Sequence, residues 1–261
     1  MTATFTVTGL KTPIIRQGDD LISALIDAGN AIGGFRDGDV LVVAENAVAT
    51  AEGSVVALRD VTPSPRACDL AAIYDMDPRA VEVVLQQSDC VVGGISGFLL
   101  CLTNGTLLPN AGVDASNAPP GCLVLLPKNP DASAEGIRIA ILERTGRALA
   151  VIIADSRTHA MRLGCSGVAI GCSGIEAVHD ERGRADLFGK RLEVTKQAVA
   201  DNIASAAELV MGEADECMPA AVIRGLGLGI TDAKGVESIE PSACLFMGVA
   251  LNANPSLFHR K

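Results

Sequence analysis

ASAEGIRIAILERTGRALAVIIADS, from Ala132 to Ser156, reads as a helix followed directly by a strand, and that pairing decides the fold class. The first part keeps its apolar residues at helical spacing and ends near Gly146, the residue type that closes a helix in a left-handed turn. ALAVIIAD is a short, almost uninterrupted apolar run, which predicts a buried strand whose C-terminal end delivers Asp155 and Ser156. Outward from this point the same alternation recurs. DDLISALIDAGNAI from Asp19 carries a helical pattern, and DGDVLVVAE after it predicts a turn leading into another buried strand. Ser64 with Pro65 and Asp77 with Pro78 each pair a cap residue with a proline at the first helical position, so two more helices start there. TKQAVADNIASAAELVMGE predicts a long helix with Val199, Ile203, Ala206, Ala207 and Val210 on one face, and MPAAVIRGL predicts a last strand. Helices and strands that alternate from end to end imply a mixed α/β (α+β) body.

The 261 residues carry a net charge of −10, which argues against nucleic acid and anionic membranes as partners. A hydrophobic fraction of 49% is enough for a sizeable core, and with aromatics at 3% and no Trp that core must be aliphatic. There is no internal repeat or long linker, so the chain reads as one continuous region of one or two domains, with residues 127–133 as the best breakpoint. MTATFTVTGL lacks the basic and apolar segments of a secretory signal, and a cytoplasmic protein is expected. Cys90 to Val113 contains no Asp, Glu, Lys, Arg or His, but Gly, Ser, Thr and Asn break it, so it predicts buried strands and no membrane span. Eight cysteines without a C-x-x-C pair imply buried thiols in a reducing compartment, and His159, His179 and His259 form no H-x-x-x-H pair, so no zinc site is predicted.

Phosphate chemistry has no P-loop to rest on: GRADLFGKR, Gly183 to Arg191, has the wrong spacing and places Arg191 where a hydroxyl should hold magnesium. GLGLG at Gly225 to Gly229 follows a strand but opens no helix, and reads as a glycine turn. Three other segments bear hard oxygen donors. NAGVDASN, Asn110 to Asn117, combines small residues with Asp114 and is either a capped turn or a ligand site. Asp155 and Ser156 at a strand end either cap a helix or share magnesium or manganese. MGEADECMP places Glu213, Asp215 and Glu216 after the long helix, as a solvated loop or as part of the same site. Together they suggest an oxygen-ligand cation site that grips polyphosphate, which an acidic protein needs in order to bind a nucleotide.

With VTGL, DGDVLVV, AEG, NAGVDASN, LLP, GVAIG, GRADLFGKRLEVT, MGE and VIRGL in this order, the chain resembles the coenzyme F-420-0:L-glutamate (gamma-glutamyl) ligase family over nearly its whole length. The resemblance implies a two-domain fold without a P-loop, an intertwined homodimer, and a GTP site with magnesium or manganese and potassium as a further cation. It implies that a carboxylate of the deazaflavin cofactor precursor is phosphorylated by GTP and that the amine of L-glutamate displaces phosphate from the acyl phosphate. By family position, Asp114 and Asp155 would hold one metal, Ser156 and Glu213 would lie nearest a second, and Asn117 would touch the nucleotide. Gly9 and Leu10 would begin the loop that covers GTP, continuing through Lys11 and Thr12. Which acidic residue takes the proton of the attacking amine is not identified.

The departures from the family pattern concentrate where phosphate would lie. Ala49, Thr50, Ala51, Glu52 and Gly53 stand where the family commonly reads S-K-x-E-G, so a lysine is absent at Thr50, and Glu45 and Asn46 replace a hydroxyl pair. The usual D-T-x-G-R followed by an aromatic becomes Asp155, Ser156, Arg157, Thr158, His159, Ala160 and Met161, which replaces an arginine by His159, and Arg157, His159 and Arg162 are the residues expected to face the substrate. Lys11 is a candidate substitute for the missing lysine. Altered ligand chemistry is therefore expected: the family reaction with compensation, a ligase joining a different acid and amine, or a non-catalytic nucleotide-binding homologue.

Overall fold

The computed structural model describes residues 4–252, and His259 lies outside the described residues. In chain order the elements are β1 (Thr6–Leu10), α1 (Leu21–Ala31), β2 (Val40–Ala44), α2 (Glu45–Ala51), β3 (Val55–Ala57), α3 (Pro65–Tyr74), α4 (Pro78–Gln87), β4 (Cys90–Ile95), β5 (Phe98–Thr103) and β6 (Thr106–Pro109). They continue with β7 (Cys122–Val124), α5 (Pro130–Thr145), β8 (Ala150–Thr158), β9 (Cys165–Ser173), β10 (Val178–Asp180), β11 (Lys196–Ala198), α6 (Val199–Met211), β12 (Ala220–Arg224) and α7 (Leu245–Asn252). The mixed α/β class is as expected. The chain divides into two compact units: residues up to Ala57 with Ala115–Val236, and Leu58–Asp114 with Glu237 onward. The 127–133 stretch lies inside the first unit, where Asn129 caps α5, so the divisions fall elsewhere.

The first unit is built on a five-stranded sheet of order β1-β12-β2-β8-β9, in which only β2 and β8 run parallel. Both faces of this sheet are covered at its centre, which is why residues 40–43 of β2, 150–154 of β8 and 220–223 of β12 are apolar at every position and not at alternate ones. Val42, Ile152, Ala154 and Ile223 pack with α6, whereas Leu41, Val43, Ile153 and Val222 pack with α1 and α5. Helix α5 begins with Asn129 accepting from the Ala132 N–H and with Pro130 in its first turn, and it ends at Gly146 with φ 71°. Asp39, buried at the start of β2, accepts from Arg224 Nε at 2.8 Å and from the Arg36 N–H, which ties β12 to the turn before β2. The register aligns Leu10, Ala220, Val43 and Ile153 across the sheet, so β1, β2 and β8 end along one edge.

Helix α6 is shorter than its sequence pattern predicts. Residues 196–198 form β11 instead, paired with β10, because Ala198 offers no side-chain cap and the neighbouring strand supplies the backbone partners. Its buried stripe is Val199, Ala200, Ile203, Ala204, Ala207 and Met211, with Ala206 and Val210 only half-buried at the margin.

In the second unit, α3 and α4 start at the predicted Ser64 and Asp77 caps and pack on the antiparallel sheet β4-β5-β6. The core is Ala67, Ala71, Val81, Val84, Leu99 and Cys101. The prediction of buried strands across Cys90 to Val113 needs correction. The strands exist, but alternation buries Leu99 and Cys101 while Phe98 and Leu100 on the opposite face stay exposed. The cysteines are corrected in the same way. All are free, but only Cys101 and Cys172 are buried; Cys68, Cys90, Cys165 and Cys217 are exposed because they occupy outward helix and strand positions or loops. Among the described residues no helix is long and apolar enough to cross a membrane.

Candidate active site

The edge where β1, β2 and β8 end is where an open α/β sheet binds ligands, since the connections splay apart there and leave side chains and backbone groups accessible. Most of the candidate residues in the first unit collect along it. Gly9 and Leu10 do not start the loop, as the family pattern suggested; they close β1, paired with Ala221 and Ala220, and Leu10 is fully buried. The loop opens at the exposed Lys11. Thr12 is buried, and its N–H donates to the Cys217 carbonyl at 3.0 Å, which fixes this loop against the segment that carries Glu213. Gly9 lies against the same segment, where a Cβ would come 2.7 Å from Met218 Sδ. Farther on, the Gly18 N–H donates to the Ala51 carbonyl, so the loop also runs beside the end of α2.

Glu45 and Asn46 open α2 where β2 ends, half-buried at the same edge. Thr50 lies deeper in α2 and is buried, and its methyl-bearing side chain supplies no charge. Asn117 sits in an exposed turn before β7 with φ 50°. Asp114 closes the Leu58–Asp114 stretch of the second unit, where the Asn110 side chain accepts from the Leu99 N–H at 2.9 Å and so has a structural role.

Strand β8 separates its own candidates. Successive residues of a strand point to opposite faces, so Asp155 and Arg157 share one face and Ser156 shares the other with Ala154, toward α6. Arg157 Nε donates to Asp155 Oδ2 at 2.7 Å. The Ser156 hydroxyl lies 3.1 Å from Glu213 Oε1 and within hydrogen-bonding reach of Glu208. His159 and Arg162 lie beyond the strand in the exposed β8–β9 loop, with His159 Nε2 2.6 Å from Ser166 Oγ.

Glu208 is the residue that sequence reasoning passed over. It is half-buried on α6, accepts from the Gly167 N–H, and faces Glu213. Burial, and then the neighbouring Glu213 carboxylate, push its carboxyl up to about 7 against the hydrogen bonds that favour ionisation. Its signal was present: Ala204, Glu208 and Met211 fall at i, i+4 and i+7, so an acid sits on the buried stripe of the helix.

The donor chemistry suits a divalent cation. One hydroxyl proton cannot serve two carboxylates, and Glu208 and Glu213 have no arginine or lysine in salt-bridge contact among the described residues. Among those residues, no three His, Cys, Asp or Glu side chains form a complete metal cage. Magnesium does not need one, because it is commonly held by one or two carboxylates together with water and substrate phosphates.

The family described as F420-0:Gamma-glutamyl ligase matches residues 9–225. The coenzyme F420:L-glutamate ligase of Methanothermobacter thermautotrophicus is 43% identical over 219 residues, covering 83% of this chain and 87% of that protein. The enzyme of the same name from Methanocaldococcus jannaschii is 41% identical over 237 residues, covering 90% and 93%. That of Archaeoglobus fulgidus is 43% identical over 224 residues, covering 86% and 88%.

Proposed function

We infer that this chain, which belongs to the F420-0:gamma-glutamyl ligase family, joins L-glutamate to a carboxylate of the deazaflavin cofactor F420 precursor at the expense of GTP. The observation that carries the reading, beside the family membership, is the meeting of Ser156, Glu208 and Glu213 at the sheet edge where the Lys11 loop is fixed. A carboxylate does not react with an amine, because its carbonyl carbon is electron-rich and it lacks a leaving group. Transfer of the γ-phosphoryl group of GTP to a carboxylate oxygen gives an acyl phosphate and GDP. The glutamate nitrogen then bonds to the carbonyl carbon, the carbon–oxygen bond to phosphate breaks, phosphate leaves, and the nitrogen gives its proton to an acidic side chain of this edge.

Triphosphate and acyl phosphate concentrate negative charge on a protein that is itself acidic, so the site must neutralise it. Ser156 and Glu213, with Glu208 behind them, would hold magnesium or manganese, which supplies charge neutralisation to phosphate oxygens when bound. Lys11 adds an exposed positive charge at the mouth of the loop. Asn117, assigned to the nucleotide by resemblance, belongs to the same proposal.

A homodimer is also part of it. Between β10 and β11 the chain forms a hairpin arm, with a Gly183 N–H to Leu192 carbonyl bond along it, and its tip residues Leu187 and Phe188 are at least 95% exposed. Apolar side chains presented to this extent are what a second copy would cover.

The test is mass spectrometry of purified protein with the unglutamylated precursor, L-glutamate, GTP and magnesium plus manganese. The expected product is heavier by one or more glutamyl units and forms only with GTP. An unmodified precursor in the presence of folded protein would overturn the assignment. The loss of charge at Thr50 and the engagement of His159 by Ser166 favour, as a second reading, a ligase for a different acid and amine. Nucleotide turnover that requires another acid–amine pair would identify it.

A further inference from the structure

Two anionic groups lie at the end of β8, and they are balanced differently. Glu208 and Glu213 face each other across Ser156 with no basic side chain in salt-bridge contact among the described residues. Asp155, one residue earlier in the strand, already has a cation: Arg157 on the same strand face, with Nε 2.7 Å from Oδ2. The side chains of this pair are 11% and 15% exposed, so water competes weakly for either partner and the charge-assisted hydrogen bond is shielded from solvent screening. An arginine two residues after an aspartate in a strand is held on the same side by the backbone itself, and neither partner must reorganise to meet the other.

We propose that the guanidinium of Arg157 stands in for a divalent cation at Asp155, so that this edge binds a divalent cation at Ser156 and Glu213 but none at Asp155. The proposal rests on the cation-dependent ligase reading and changes its charge inventory. A guanidinium carries one positive charge where a metal would carry two, cannot be chelated, and does not dissociate. It can also present N–H donors to a phosphate or carboxylate in a fixed plane, which a hydrated ion does not. Arg157 is thus a fixed cation in the position after Ser156, where the family's usual arginine, two residues later, is His159 in this chain.

The test counts manganese ions bound per protomer, using the electron paramagnetic resonance signal of free Mn2+ during titration of the full chain without nucleotide. Wild-type protein is expected to show one site, which Glu213→Gln removes. Arg157→Gln, which takes the guanidinium away from the Asp155 carboxylate, is expected to gain a second site; Arg157→Lys, which keeps the charge, is expected to remain at one. Two sites in the wild-type protein would overturn the proposal outright, whether or not the variants fold. Equal counts in wild type and folded Arg157→Gln would also overturn it while leaving the ligase reading intact. No manganese bound by either folded protein, both alone and beyond what the nucleotide itself binds when the titration is repeated with GDP, would defeat the cation reading and this proposal together, and product formation in the mass assay would still decide the ligase assignment by itself.

Discussion

Glu135 shows at the residue scale how a charge is fixed by its partners. On α5 it pairs with Arg138, Nε to Oε2 at 3.0 Å, and it also accepts a hydrogen bond from the buried Ser173 hydroxyl of β9. These two partners, Arg138 first, hold its carboxyl down to about 2, below the ordinary glutamate value near ~4.3. A depressed carboxylate stabilises the fold fully above its unfolded value, and that contribution is lost as pH falls from about 4.3 towards 2. Wild-type protein should therefore exceed Glu135→Gln in stability at neutral pH. Urea melts at successive pH values should show the difference shrinking below about pH 5; a constant difference would contradict this role. Asp155, Ser156 and Glu213 could be picked out of the sequence as candidates because a polar residue at the end of an apolar run can be recognised from its neighbours. That Ser156 turns toward Glu213 and Asp155 toward Arg157 was not legible, since face assignment depends on strand register. Glu208 was hidden for a related reason: an acid on a helix is ordinarily read as its wet side.

At the scale of elements, the tight seam is between α6 and β9. Gly167 permits it, because a Cβ there would lie 2.5 Å from the Ala204 carbonyl oxygen, a backbone atom with no room to move away. The Ser205 hydroxyl donates to the Gly167 carbonyl at 2.7 Å, and Gly167 offers its N–H to Glu208. Gly167→Ala should push the helix from the strand and cost roughly 1–3 kcal/mol of stability, the usual range for overpacking. Denaturant unfolding measures this, and an unchanged midpoint would contradict it. The helices at Ser64 and Asp77 were predictable because their caps and prolines are local signals that act through the nearest backbone, whereas the Asn129 cap with Pro130 carries the same signal yet reads as a break. The conversion of residues 196–198 from predicted helix to β11 was not predictable, because the partner strand lies across a hairpin that local patterns do not reveal.

For the molecule as a whole, the proposed dimer makes the arm between β10 and β11 an assembly device. Asp186 accepts from the N–H groups of Phe188 and Lys190, each at 2.9 Å, and so shapes the tip that presents Leu187 and Phe188. The double substitution Leu187→Asp and Phe188→Asp should convert the dimer to a monomer in light scattering with little change in the circular dichroism of the folded chain; a dimer that survives would remove the arm from the interface. The division into two units was only partly legible, because the first unit is discontinuous in sequence and no linker composition marks its gaps. The order of strands in its sheet bears on how the protein is made. β12 lies between β1 and β2 although it follows both of them, and every other strand of this sheet, in chain order. Until translation has passed Arg224, β1 has no neighbour and one edge of β2 is bare. A nascent chain that stalls before that point presents unpaired strand edges to whatever it meets, so premature release of this protein yields a template for aggregation.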